Sequence, residues 1–425
     1  MYHYMKVGII GSGGREHALC HAIRKSNKVD EIYCFPGNAG TNSIAVNVNL
    51  DISNFSSMEE YILKNKIEII VIGPEQPLVD GIVDHLEEKK IKVFGPNKLA
   101  SKLEGSKIFT KNLCKQYNIP TANFGIFENK EKSLKFLNNC KFPIVVKADG
   151  LAAGKGVYIC ENDKDGFIAV EEIFNGKFGF AKEILIEEFL DGEEMSFFII
   201  SDGKDIKKFG TAQDHKKVGE GDVGPNTGGM GAYSPSRLEN ELLDKKILKK
   251  IIEPTLKALK NMNTNFKGFL YAGLMIVKNE PYLIEYNVRM GDPECQTILP
   301  RLKTDFFEVL DATVNEKLNQ IKLEWFNTKT LSIVQCSKGY PGTYEKNKEI
   351  KNLEQIVLKE NEFIFHAGTK IDNSRIFSNG GRVLNFVAKA ENFKKSKSIV
   401  LNLIKKINWK DGFYRKDIGY KVIDE

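Results

Sequence analysis

Glu285, Asn287 and Arg289 alternate along Pro281-Tyr282-Leu283-Ile284-Glu285-Tyr286-Asn287-Val288-Arg289. With the run Gly268 to Val277 before it and a tip near Lys278-Asn279-Glu280, this reads as the second strand of a hairpin. Side chains two apart on a strand share a face, so the three project together. A carboxylate beside an amide oxygen is a hard donor pair suited to Mg2+, which shares its coordination with phosphate oxygens and water. The arginine next in line can clamp a carboxylate or a phosphate. A solvated strand face would carry the same residues, so the rest of the chain must decide.

Other stretches offer matching chemistry. Phe142 to Gly150 is a strand with Lys147 at its exit, running into the small-residue loop Leu151 to Val157, which contains Gly154-Lys155-Gly156. It is not a Walker A loop: Asp149 replaces the first glycine, and Gly156 stands where Ser or Thr would bind magnesium. A glycine hairpin can still close over a triphosphate, its N–H groups and lysine neutralising charge. The strand Ile184 to Leu190 delivers Asp191-Gly192-Glu193-Glu194, which suits an adenine slot with a ribose-binding carboxylate, or a plain hairpin turn with solvated acids. Thr211 to Lys217 puts Asp214, His215 and Lys216 together after a strand. Gly224 to Ala232 is too glycine-rich to pack a core and is either a connector or a backbone cradle.

The elements that must position these groups begin with a strand, Lys6 to Ile10, then Gly11-Ser12-Gly13-Gly14-Arg15-Glu16-His17 and a helix over Ala18 to Lys25. Strand, glycine turn and helix aim backbone N–H groups at an anion. Glu16 occupies the third-glycine position of the dinucleotide fingerprint. Pro36-Gly37-Asn38-Ala39-Gly40-Thr41 stands where a ribose-binding acid belongs. Both argue against an NAD-linked oxidoreductase. The strand Ile67 to Ile72 ends in Gly73-Pro74-Glu75, with a helix over Asp80 to Lys89 and a strand over Ile91 to Phe94. Alternating strands and helices imply a parallel sheet, so the ends at Gly11, Gly37 and Gly73 should open on one rim. A helix over Lys102 to Cys114 carries Lys107, a separate β-rich domain starts near Thr330, and a helix over Ala390 to Ile407 follows.

At 425 residues the chain has room for about two to four domains. Its +6 net charge is spread along the sequence without the basic–aromatic interleaving of a nucleic-acid platform. Seven scattered cysteines without CxxC spacing point to reduced thiols and a cytoplasmic setting. His17 and His21, at i, i+4, could share a metal but lack a third soft ligand nearby. No signal-peptide core or membrane-spanning apolar run is present, so no membrane partner is expected.

Together the elements resemble the ATP-grasp architecture. The ordered motifs Gly-Ser-Gly-Gly-Arg-Glu-His, Pro-Gly-Asn-Ala-Gly-Thr, Gly-Pro-Glu-Gln-Pro-Leu, Lys-Ala-Asp-Gly-Leu-Ala-Ala-Gly-Lys-Gly-Val, Gln-Asp-His-Lys, Gly-Pro-Asn-Thr-Gly-Gly-Met-Gly-Ala, Gly-Asp-Pro-Glu, His-Ala-Gly-Thr and Asn-Gly-Gly-Arg-Val resemble, more closely, the phosphoribosylamine–glycine ligase family. The resemblance implies an α/β multidomain fold. A Rossmann-like domain would cover 1–105, an ATP-grasp region 106–328 with a lid at about 122–190, and a β-rich domain 329–425. It also implies a monomer that ligates glycine to 5-phosphoribosylamine through glycyl phosphate, with ATP as co-substrate and Mg2+, or Mn2+, as metal.

Carried over residue by residue, it assigns the metal to Glu285 and Asn287, and the phosphates to Lys107, Lys147 and Gly154-Lys155-Gly156. Adenine and ribose go to Glu187, Glu188, Phe189, Leu190 and Glu193, with Glu187 and Leu190 acting through backbone groups. Arg289 takes the glycine carboxylate and the acyl phosphate, near Gly291, Asp292 and Pro293. Gly11, Gly13, Gly14, Arg15, Asn38, Gly40, Thr41, Glu75, Asn226, Thr227, Gly228, Gly229 and Met230 go to phosphoribosylamine. Asp214 is left to hold an amine of either substrate. Arg289, Asp214 and Lys147 are the catalytic candidates, and no dedicated general base is evident. Another ATP-grasp ligase and a nucleotide-binding regulator without turnover are the remaining alternatives.

Overall fold

The computed structural model describes residues 4–151, 156–179 and 182–423. Unbroken apolar runs, the pattern of strands buried on both faces, build a parallel sheet at the start of the chain. Its strands are β1 (Met5–Gly11), β2 (Val29–Pro36), β3 (Val46–Asn47), β4 (Ile69–Ile72) and β5 (Lys92–Phe94), in the order β3-β2-β1-β4-β5. Between them run α1 (Gly14–Arg24), α2 (Phe55–Lys64), α3 (Glu75–Asp80) and α4 (Ile82–Glu88). α1 starts four residues earlier than expected, because Glu16 accepts from Gly13 N at 2.6 Å and closes the first turn. The helix expected over Asp80 to Lys89 is α4, and the unexpected α3 precedes it across Gly81, whose φ of +100° lies in the left-handed region.

α5 (Lys98–Gly105) and α6 (Lys107–Tyr117) replace the one helix expected over Lys102 to Cys114. Ser106 between them is extended, and its Oγ accepts from Phe109 N to cap α6. The stretch expected as a lid forms an antiparallel sheet, β6 (Phe124–Phe127), β7 (Ile144–Ala148), β8 (Val157–Cys160) and β9 (Ile184–Glu188), ordered β6-β9-β7-β8. With α7 (Lys130–Leu137) and α8 (Asp163–Phe174) it encloses its own core of residues such as Leu137, Val146, Val170 and Ile186.

The central region holds β10 (Glu193–Asp202), β11 (Ile206–Asp214), the hairpin β12 (Lys217–Gly219) and β13 (Val223–Asn226), and β14 (Gly231–Ser234). The glycine-rich stretch is therefore half strand, leaving residues 227–230 as its loop. α9 (Glu241–Ile247), α10 (Glu253–Asn261), β15 (Lys267–Val277), β16 (Glu280–Asn287), α11 (Glu294–Ile298) and α12 (Phe306–Val314) complete it.

The last region contains β17 (Lys329–Ser337), β18 (Glu362–His366), the hairpin β19 (Thr369–Asp372) and β20 (Arg375–Ser378), β21 (Arg382–Ala390), α13 (Phe393–Ile404) and β22 (Gly412–Phe413). Its main strands extend the central sheet, ordered β16-β15-β10-β11-β14-β17-β21-β18, through antiparallel pairing of β14 with β17. Among the described residues no helix is long and apolar enough to cross a membrane.

Candidate functional site

A cavity of about 620 Å³ lies between the lid sheet and the central sheet. β16 pairs with β15 and brings Glu285, Asn287 and, just past its end, Arg289 to the cavity wall. Gly273 on β15 stands opposite Glu285, where a Cβ would lie 3.2 Å from Glu285 Cγ. Among the described residues neither Glu285 nor Asn287 spends its side chain on a hydrogen bond, and Glu285 Oε1 is 3.9 Å from Lys216 Nζ. No cluster of three acidic, histidine or cysteine ligands occurs among them either. Two hard oxygen donors facing an open cavity fit a Mg2+ ion that takes its other ligands from phosphates and water.

Lysines line the same cavity. Lys147 Nζ sits 2.7 Å from Glu187 Oε2, and Lys111 Nζ 2.9 Å from Glu187 Oε1. Lys107 Nζ donates to Gly150 O at 2.8 Å. Burial pulls Lys107 and Lys111 below the ordinary lysine range. Burial also opposes the Glu187 charge, but Lys147 and Lys111 outweigh it and hold the acid low. Glu188, Phe189, Leu190 and Glu193 line the same cavity, as do Gly156, Asn226, Thr227 and Gly228. Glu193, taken as a ribose acid, is already bound to Gln213 and Arg237. Gly154 and Lys155 lie outside the described residues.

Arg289 is gripped from two sides. Nη2 donates to Glu104 Oε1 at 2.7 Å, and Nε lies 3.3 Å from Glu75 Oε2. Arg289, with Arg15, holds the Glu75 carboxyl down to about 2 against its own burial. Asp292 links the neighbouring loops: its Oδ2 accepts from Arg15 N at 3.4 Å, and its backbone O, like that of Gly228, accepts from Arg382 Nη1. Burial pushes the Asp214 carboxyl up to about 8; Glu294, Glu194 and Glu285 add to this and Lys216 opposes it. Lys216 in turn pairs with Glu194 at 2.6 Å.

The structure distributes the other candidates differently from the expectation of one open rim. Glu16 fills the crevice between β1 and β4: a Cβ on Gly73 would lie 2.1 Å from its Oε1, and one on Gly11 2.6 Å from its Cδ. The residue that breaks the dinucleotide fingerprint thus occupies the space a pyrophosphate would need. Asn38 donates to Ser12 O and His366 O and accepts from Gly40 N, while Thr41 bonds Asn38 and Asn47. These side chains tie the loop together. Gly13 abuts Asp292, Gly14 abuts Asn385 and Gln296, Gly40 abuts His17, and Gly229 abuts Pro293. Met230 is buried beside Cys336. Gly291 lies against Glu294 at the cavity. His17 Nδ1 accepts from His366 N at 2.9 Å, so it is engaged by protein.

Several cavity residues carried no reading from the sequence, namely Glu104, Lys111, Glu294 and Arg382, while Glu194 and Lys216 stood out there without a role of their own. Lys111 was the most accessible, one helical turn beyond Lys107. Arg382 sat unassigned within the Asn-Gly-Gly-Arg-Val motif.

Two sheets enclosing a cavity lined by lysines and a carboxylate–amide pair define an ATP-grasp ligase. Family models described as phosphoribosylglycinamide synthetase match the chain in sequence: the N domain over residues 5–104, the ATP-grasp (A) domain over 105–295 and the C domain over 330–421. The chain belongs to that family. Phosphoribosylamine–glycine ligase of Mesorhizobium japonicum is 45% identical over 420 residues, 99% of each chain. The chloroplastic enzyme of that name from Arabidopsis thaliana is 43% identical over 96% of this chain and 79% of its own. The crystal structure of the Thermotoga maritima phosphoribosylamine–glycine ligase superposes with a TM-score of 0.85 at 33% identity, covering 98% of this chain and 100% of that one. The biotin carboxylase domain of Hydrogenobacter thermophilus 2-oxoglutarate carboxylase shares the fold alone, with a TM-score of 0.74 at 16% identity over 97% of this chain and 92% of its own.

Proposed function

We propose that this chain joins the carboxylate of glycine to the amine of 5-phosphoribosylamine, converting ATP to ADP and phosphate, as a step of purine biosynthesis. The observation that carries this is that Lys107 and Lys147 line one cavity with Glu285, Asn287 and Arg289, in a chain matched along its length by one family.

A carboxylate is inert to amines because its oxygen is a poor leaving group. Transfer of the terminal phosphoryl group of ATP to a glycine carboxylate oxygen gives glycyl phosphate and ADP. The amine nitrogen then attacks the carbonyl, the C–O bond to phosphate breaks, and the nitrogen gives up a proton. Phosphoryl transfer needs mainly positioning and charge neutralisation. Lys147 holds the phosphates from the lid sheet and Lys107 from the start of α6. Glu285 and Asn287 would hold Mg2+, which supplies charge neutralisation at the terminal phosphates. The segment Glu187 to Leu190 and Glu193 border the nucleotide, and Arg289 faces the glycine carboxylate and the developing acyl phosphate. Asp214 holds an amine. Arg15, Glu75, Asn226, Thr227 and Gly228 border phosphoribosylamine, with the Gly11 to Gly14 turn, Asn38, Gly40, Thr41, Gly229, Met230 and the Gly291 to Pro293 segment shaping the loops around it. A closed lid keeps water from the acyl phosphate.

The test is coupled ADP release with ATP, Mg2+, glycine and phosphoribosylamine generated in situ from ribose 5-phosphate and ammonia, each omitted in turn. ADP only in the complete mixture is expected. ADP without phosphoribosylamine would replace the amine acceptor, and bound ATP without turnover would leave a regulator.

A further inference from the structure

Glu104, near the end of α5, uses both carboxylate oxygens on the end of β16. Oε1 accepts from Arg289 Nη2 at 2.7 Å and Oε2 from Val288 N at 2.8 Å. Its side chain is 6% exposed, so water does not compete for either bond. Arg289 Nη1 donates to Met290 O at 3.2 Å. Among the described residues these hydrogen bonds use two of the five guanidinium N–H donors, so the group is oriented without being exhausted. We infer that Glu104 is a positioning residue for Arg289, fixing the plane and height of the guanidinium at the glycine end of the cleft. This rests on the reading of Arg289 given above.

Two features separate Glu104 from a simple counter-ion. First, it binds the backbone of the residue preceding Arg289 as well as the side chain, which fixes where the arginine starts and where it ends. Second, the segment that follows fastens the phosphate side. Ser106 Oγ donates to Asp149 Oδ2 at 3.0 Å, Ile108 N donates to Asp149 Oδ1 at 3.1 Å, and Lys107 Nζ donates to Gly150 O. Five consecutive residues thus set Arg289 relative to the exit of β7, where Lys147 lies.

The test is a double-mutant cycle on glycine kinetics with Glu104→Gln and Arg289→Lys. Glutamine keeps the shape but has one acceptor oxygen. Whichever way the amide turns, an N–H faces either the guanidinium or Val288 N, and one bond is lost. Glu104→Gln should raise the glycine KM by about ten-fold, as expected for losing a bond to a charged group, and leave the ATP KM within about two-fold. In the Arg289→Lys background the same change should alter glycine kcat/KM by less than about two-fold, because the group it positions is gone. Losses that add in full, an unchanged glycine KM, or an ATP KM that rises in step would each overturn the proposal while leaving Arg289 in place. If Arg289→Lys alone leaves glycine kinetics unchanged, the reading of Arg289 itself fails. Should Glu104→Gln not fold, Glu104→Asp, which retains the charge but shortens the reach, carries the same cycle.

Discussion

Lys147 and Glu187 form a buried ion pair, 2.7 Å apart and each at most 6% exposed, in the wall of the cavity between the two sheets. Lys111 approaches the other oxygen of the same carboxylate, so one acid neutralises two lysines. Their antiparallel strands fix this: Lys147 on β7 lies opposite Leu185 on β9, and Glu187 lies opposite Val145. On the proposed function, a phosphate entering the cleft would meet a lysine already oriented and already partly compensated.

Removing Glu187 should therefore destabilise the empty enzyme more than the loaded one. Glu187→Gln leaves two buried ammonium groups without their carboxylate, which costs about 3 to 5 kcal/mol when a buried pair is broken from one side. Bound ATP returns negative charge to the same lysines. Thermal unfolding with and without Mg-ATP should show a lower Tm for the variant and a larger upward shift on adding nucleotide than in the parent. Equal shifts in both proteins would separate Lys147 from the phosphates.

Much of this wall was legible in the sequence, because a lysine at a strand exit followed by small residues is a local pattern. The same holds for Glu285, Asn287 and Arg289, where strand alternation suffices to gather them. Glu104 was not legible: it is 185 residues from Arg289, and no local rule chooses its partner. Glu16 was visible only as a missing glycine; that its carboxylate fills the crevice between β1 and β4 depends on how the strands pack. The break at Ser106 was written locally, as a capping serine inside a helical pattern, but the apolar periodicity running through it masked it. Asn38 read as a polar loop residue open to ligand; in the fold its amide is consumed by three backbone segments.

Metal dependence provides the second prediction. Glu285→Gln removes the charged donor, and Asn287→Leu removes the neutral one. Each should raise the Mg2+ concentration for half-maximal ADP release by at least about ten-fold, since even outer-shell partners of metals are worth that much. The ATP KM measured at saturating Mg2+ should move less than the metal requirement. Full activity of Glu285→Gln at limiting Mg2+ would remove Glu285 from the metal.

The third prediction concerns acid. His17 on α1 and the backbone of His366 at the end of β18 join the first and last regions of the chain. Burial holds the His366 imidazole at about 4 and His17 well below its ordinary value, where it must stay neutral to accept from His366 N. Between pH 6.5 and 4 the unfolded chain binds protons that the folded one refuses, so stability falls as pH falls. For His366 alone the loss at pH 5 is about 2 kcal/mol. Urea midpoints at pH 7 and pH 5 should therefore differ less in His366→Gln than in the parent; an unchanged difference would count against the buried neutral imidazole.

The fourth prediction has the opposite sign. Burial and three neighbouring carboxylates raise the Asp214 carboxyl from 3.8 to about 8 despite Lys216. Between those values the folded chain holds a proton that the unfolded chain has released, so this group's contribution to stability falls as pH rises and levels off above about 8. Asp214→Asn removes the titration, and Lys216 retains Glu194 at 2.6 Å as partner. The variant should gain stability relative to the parent between pH 5 and pH 9, read from urea unfolding without nucleotide. Its turnover should fall if this acid holds an amine, since a group that destabilises the fold is the kind retained for function. A gain in stability with full turnover would leave the burial account intact and take Asp214 out of the chemistry. No gain by pH 9 would mean that the cavity around Asp214 solvates its charge well enough for it to ionise like an ordinary aspartate.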